Sequence, residues 1–176
     1  MNRILAGLSM ALLACAGAQA AQAPAYDRPG IGFSASTVGR GVFAWEQGLP
    51  DGSRDRRDGV TATTWTADTL LRLGVSRTLE LQLGADTWGS QRLRGAGLRE
   101  QAQGGGDGSV ALKWAPSLAS DTLTVAFKLG TTLPWGRAPL GGDGHAHDAG
   151  VTVAWALPGD TSLALYADRQ WGEEGS

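Results

Sequence analysis

The sequence predicts an all-β protein, an antiparallel up-and-down meander that forms part of a transmembrane outer-membrane β-barrel. Three observations carry that prediction. Apolar and polar residues alternate with period two over most of residues 40–171, short links alternate with long ones, and the seven tryptophans fall inside or at the margins of the alternating runs. In "TLELQLGADT" (78–87), Leu79, Leu81, Leu83 and Ala85 interleave with Glu80, Gln82, Gly84 and Asp86. A strand sends successive side chains to opposite faces, so such a run is greasy on one side and ionic on the other. In a helix the same spacing would surround the axis instead of forming a stripe.

The elements follow in chain order. Residues 1–20 read as a signal peptide: Arg3, an apolar run from Ile4 to Ala14, then small residues ending Ala18-Gln19-Ala20. Cys15, the only cysteine, lies in a stretch that also resembles a lipoprotein processing box. Residues 21–39 are expected to be a periplasmic leader or plug, and 40–176 the partial barrel. About seven strands are predicted, at 40–49, 60–75, 79–88, 107–115, 121–133, 148–157 and 161–171. The tight links 76–78, 116–120 and 158–160 hold turn formers such as Pro158-Gly159-Asp160. The long links 50–59, 89–106 and 134–147 are rich in Gly, Arg and Asp. One trimmed end and one elaborated end is the pattern of outer-membrane barrels, with periplasmic turns and longer extracellular loops.

That topology places Trp65, Trp88, Trp135, Trp171 and Trp45 toward the outer rim, and Trp114 and Trp155 near the periplasmic turns. Indole favours the bilayer interface, where the ring is half buried and its N–H stays wet. The interface aromatics are therefore Trp45, Trp65, Trp114, Trp135 and Trp155. The face opposite the Leu/Trp positions collects the charges, and its lumen-lining candidates are Glu46, Asp68, Arg72, Glu80, Gln82, Asp86, Lys113 and Lys128. A turn at 76–78 pairs 75 with 79, setting Arg72 opposite Gln82, Asp68 opposite Asp86, and Arg72 diagonal to Glu80. The facing Asp68 and Asp86 repel, so the pair is expected to need a cation, a bound water network, or Lys113 or Lys128 reaching across a narrow lumen.

Several functions are excluded or weakened. A net charge of −2 gives no basic footprint for nucleic acid, and a single cysteine gives no disulfide framework or thiolate metal site. No apolar run after the signal reaches the length of a membrane helix. His145 and His147 are weak metal candidates with Asp148, since no fourth ligand is apparent. Catalytic residues and cofactors are not expected, because both histidines share one loop and Gly104-Gly105-Gly106 opens no helix.

Two stretches, "YDRPGIGFSASTVGRGVFAWEQG" (26–48) and "LLRLGVSRTLELQLGAD" (70–86), together resemble the bacterial MetA-pathway of phenol degradation family of outer-membrane transporters. Asp27-Arg28-Pro29, Glu46 before Gly48, Arg72 and Leu79-Glu80-Leu81 carry the resemblance, which runs over roughly residues 26–170. It implies uptake of aromatic compounds. Where such barrels close on an aromatic-tipped final strand, this chain reads "WGEEGS" after an upward strand, so C-terminal truncation is expected. The leading functional expectation is a passive channel for small, aromatic or hydrophobic molecules in the cell outer membrane. The alternatives are a structural barrel without an open pore and a soluble periplasmic binding barrel with the Leu face inside. Expected partners are outer-membrane lipid, lipopolysaccharide, a small-molecule solute and the barrel-assembly machinery. The charged run 49–59 is a candidate lipopolysaccharide contact through Arg54, Arg56 and Arg57.

Overall fold

The computed structural model describes residues 26–27, 32–142, 144–159 and 161–172. Within them the chain forms β1 (Phe43–Gln47), β2 (Asp51–Arg57), β3 (Val60–Gly74), β4 (Leu79–Gly95) and β5 (Leu98–Gly104). It continues through β6 (Gly108–Trp114), β7 (Leu123–Leu133), β8 (Ala146–Leu157) and β9 (Thr161–Gly172). All belong to one antiparallel sheet of order β1-β3-β4-β6-β7-β8-β9, with β2 also on β3 and β5 also on β4. The sheet curls into half of a barrel. The signal peptide, Cys15, Arg28, Pro29 and residues 173–176 lie outside the described residues.

The long links 50–59 and 89–106 are not loops. β2 pairs with Val60–Thr66, and β1 with Thr69–Leu73, so β1 and β2 are one strand interrupted at 48–50. β5 and β6 share β4 in the same way, interrupted at 105–107. Two-residue turns drive both extensions: Asp58 (φ 52) with Gly59 (φ 78), and Ala96 (φ 47) with Gly97 (φ 81). Paired left-handed conformations of this kind match the twist of the flanking strands, and Asp-Gly is among the dipeptides that favour them. The apolar/polar alternation fades in β2 because its residues are exposed throughout, with water on both faces. The third long link, 134–147, does remain a loop over 134–142 and 144–145, its last two residues opening β8.

Register then assigns faces. Ser76, Arg77 and Thr78 turn the chain so that the Val75 N–H donates to the Leu79 carbonyl at 2.9 Å. Arg72 consequently sits opposite Gln82 and Asp68 opposite Asp86, as counting from the turn requires. One irregularity interrupts the ladder. Ala67 faces Trp88 while Asp68 faces Asp86, which leaves Thr87 as an extra residue in β4. That bulge reverses the parity of β4 above it and swings Trp88 onto the face of Leu71 and Leu83.

The outer face is apolar and open. Leu73, Leu83, Leu112, Phe127, Leu129, Leu163 and Leu165 are all exposed, Leu129 at 62%. Arg72, Glu80 and Lys113, one residue along from their apolar neighbours, are 0% exposed. A water-soluble barrel buries the opposite set, so the binding-barrel alternative with leucines inside does not fit this sheet. The polar exceptions Gln47 and Thr69 satisfy one another, Thr69 Oγ1 donating to Gln47 Oε1 at 2.7 Å.

Tryptophans border this band. Trp65 pairs with Ser90, and Trp88 with Ala67, toward the long-hairpin end; the Trp135 ring lies against Gly108, and Trp171 pairs with His147. Trp114, stacked on Phe127 at 5.6 Å, pairs with Leu79 at the short-turn end, and Trp155 pairs with Leu123. Trp45 departs from its expected place at the outer rim. It pairs with Leu71, inside the apolar band, because the strand it begins runs on through β2.

The face assignment yields an expected outcome. Leu129→Arg should block insertion into bilayers, since a cation near mid-strand on the lipid side costs roughly 2–4 kcal/mol. Thr124→Arg, on the opposite face of the same strand, should insert. Protease protection of reconstituted vesicles reads both, and equal behaviour would refute the assignment.

Candidate functional site: an ionic cluster under the leader

The concave face is where the sequence-predicted charges meet, and alternation explains why. Glu46 in β1, Arg72 in β3, Glu80 and Gln82 in β4 and Lys113 in β6 occupy inward positions of neighbouring strands. Arg72 lies at the centre. Its Nε and Nη2 form a fork to Glu80 Oε1 and Oε2 at 2.6 and 3.0 Å, and its Nη1 donates to Glu46 Oε1 at 2.7 Å. A guanidinium offers a planar set of donors suited to two carboxylates at once, which an ammonium cannot reproduce. Gln82 Nε2 donates to Glu80 Oε1 at 2.7 Å.

The leader closes this cluster. Asp27 receives Lys113 Nζ on both oxygens, at 3.0 and 3.2 Å, and Gln82 Nε2 at 2.8 Å. Its own N–H donates to Glu46 Oε2 at 2.9 Å. Ser34 donates to Asp27 through N and Oγ, and the Val38 N–H donates to Glu80 Oε2 at 2.8 Å. Further along, Thr152 Oγ1 donates to the Phe33 carbonyl at 2.7 Å. Phe33 itself is buried, with Lys113 and Lys128 about its ring and Tyr166 edge-on at 5.6 Å. Gly150 makes that seat possible, for a side chain there would strike the Phe33 ring. Burial alone would raise the Asp27 carboxyl, but Lys113, Arg72 and the Ser34 bonds outweigh it and hold it below its ordinary 3.8.

The expected lumen residues thus divide. Glu46, Arg72, Glu80, Gln82 and Lys113 form one dry network rather than the wall of a wide, wet channel. Asp68 and Asp86 face each other farther up, and neither lysine reaches them: Lys113 is held by Asp27, and Lys128 pairs with Asp148 at 3.3 Å. Above the network, a cavity of about 240 Å³ is lined by Phe33, Gln82, Ser109, Lys128, Asp148 and Tyr166. The histidines do not converge with Asp148. His147 projects outward against Trp171, Asp148 points inward, and His145 Nδ1 lies 3.3 Å from the Thr132 carbonyl. Among the described residues no group of three or more His, Cys, Asp or Glu could hold a metal.

Sequence reasoning puts Asp107 on the inward parity but misses what it holds. Its carboxylate accepts the Gly136 and Gly142 N–H groups at 2.9 and 2.7 Å, folding the 134–142 loop inward so that Leu140 meets Gly89. A second space of about 550 Å³ lies between that loop, Asp86 and Gly104–Gly106. Asp27 is legible only as part of a motif. No periodicity marks a leader residue that packs on strands far along the chain.

No curated protein and no solved structure matches the chain. A family profile described as "Putative MetA-pathway of phenol degradation" matches residues 26–175. Its span takes in the leader with Asp27, the ionic cluster and every strand of the curled sheet, a fold that fits an outer-membrane barrel. The chain belongs to the MetA-pathway of phenol degradation family.

Proposed function

We propose that the chain is the wall of an outer-membrane channel for passive entry of small molecules, with its own leader seated in the lumen. The observation that carries this reading is the inversion of the faces: exposed leucines outside, and fully buried Arg72, Glu80 and Lys113 inside. The family name points to aromatic compounds as the solute class. The cavity beside Phe33 and Tyr166 supports that class, since it offers ring edges together with Gln82, Ser109 and Lys128 as hydrogen-bonding groups. Export by the residue 1–20 signal and residence in the outer membrane belong to the same proposal.

A second reading has its own support. Leader and cluster leave the lumen locally dry, as expected of a structural barrel without an open pore. Reconstituted vesicles separate the two. A channel should admit small phenols faster than protein-free vesicles, and exclude larger sugars. Uptake equal to that of empty vesicles, for both the native chain and a leader-released variant, would overturn the channel.

A further inference from the structure

The two extracellular hairpins sort their charges by face. Above the bulge, outward positions are those paired with Thr61, Thr63 and Trp65. They carry Arg54 and Arg56 of β2, Arg92 and Arg94 of β4, and Arg99 of β5, which pairs with Arg94. The acids of the same hairpin strands, Asp51, Asp55 and Glu100, pair with Thr66, Ala62 and Leu93 and therefore point the other way. So does Arg57, which is held by Asp55 at 3.0 Å. Five cations thus share one face, with Glu100 bordering the hollow between Arg92, Arg94 and Arg99, and among the described residues none of the five is ion-paired. Three of them, Arg54, Arg92 and Arg94, line a concavity of about 390 Å³ with Thr63, Trp65 and Ser90.

Depth gives this patch its meaning. Climbing the outer face of β3 and β4, the rows run Leu73/Leu81, Leu71/Leu83, Thr69/Ala85, Ala67/Trp88, Trp65/Ser90, then Thr63/Arg92 and Thr61/Arg94. At ~3.3 Å per residue, Leu73 to Trp65 spans roughly 26 Å along the strand, which a barrel tilt of about 35–45° shortens to roughly 20 Å of depth, most of the ~25 Å apolar band of such walls. The arginines begin one row beyond the indoles, at the level of lipid headgroups. Aimed outward, they face the surrounding leaflet and not the pore.

We infer that this arginine face binds the phosphates of outer-leaflet glycolipid, the lipid A portion of lipopolysaccharide. Guanidinium groups grip phosphate oxygens in pairs, and closely placed phosphates on one headgroup suit a two-sided cluster. The inference rests on the membrane reading above. It goes beyond the sequence expectation for residues 49–59 by recruiting β4 and β5 and by removing Arg57 from the site.

The test uses the full chain folded in detergent micelles and titrated with fluorescent lipid A bisphosphate or its dephosphorylated form. Heat-modifiable gel mobility reports folding independently. The native chain should prefer the bisphosphate, and the preference should weaken with salt. In the Arg54→Gln/Arg92→Gln/Arg94→Gln variant, affinity for the bisphosphate should fall by on the order of a hundredfold, roughly fivefold per arginine. Arg57→Gln should leave it unchanged. Equal affinity for both lipids, full affinity in the triple variant, or displacement by an equal concentration of inorganic phosphate would each overturn the site. A chain with no heat-modifiable form would fail the membrane reading by a separate readout, and the lipid site with it.

Discussion

Arg72→Met should destabilise the folded barrel by roughly 3–5 kcal/mol, the usual cost of removing one partner from a buried ion pair. Glu80 would lose both bonds of its fork, and Glu46 its 2.7 Å donor, and both carboxylates are buried. Arg72→Lys keeps the charge but cannot bridge two carboxylates, so it should fall between native and Met. Arg72→Met with Glu80→Gln removes charge from both sides and should regain more than half of the loss. Urea unfolding in micelles, followed by tryptophan emission, measures all three. A single-variant loss under about 0.5 kcal/mol would mean that the cluster is wet and screened.

Asp27→Ala should release the leader and open the lumen. Asp27 gathers Lys113, Gln82 and Ser34, and its loss strands the Lys113 ammonium at 0% exposure. At about 3–5 kcal/mol, the docked-to-released ratio falls by some two to three and a half decades. Planar-bilayer conductance should rise, and a thiol placed in the leader by Ala35→Cys, in a Cys15→Ser background, should become more reactive. Acid should act on the native chain in the same direction. The Asp27 carboxyl is held below 3.8 when docked. Its contribution to docking is therefore complete above that value and is lost as pH falls through the lower docked value. Native conductance should rise only in strong acid, and that of Asp27→Ala should show no such step. A closed, pH-independent Asp27→Ala channel would sink the latch.

Much of this architecture can be read from the sequence because one physical rule governs the strands. An apolar outer face and polar contacts on the inner one force strict alternation, and a tight turn then fixes register: Arg72 opposite Gln82 follows from Ser76–Thr78 alone. The rule fails where its cause is absent. β2 and β5 rise past the apolar band and are largely exposed, so neither alternates in hydrophobicity, though Asp58-Gly59 marks the first hairpin. Thr87 reverses parity without a local signature, so the outward turn of Trp88, Arg92 and Arg94 does not follow from counting. The inward face is charged, as alternation predicts, but dry where a wet lumen is expected, because the occupant that dries it comes from a segment with no periodicity. Five of its eight candidates converge on Arg72, while Lys128 meets the Phe33 ring and Asp148, and Asp68 and Asp86 face each other farther up.

The leader's contacts also set an order of events. Asp27 meets Lys113 across 86 residues, and the Phe33 carbonyl meets Thr152 across 119. Neither partner exists as a surface until β6 and β8 have joined the sheet. Bonds of such long sequence separation form late and slowly, after local hairpins have closed. The leader must therefore wait for strands that follow it by 86 and 119 residues. A half-assembled sheet would hold Arg72, Glu80 and Lys113 on its inner face still uncovered by Asp27 and Phe33. Seating of the leader is then expected as the last event of folding, the moment at which the inner face becomes dry.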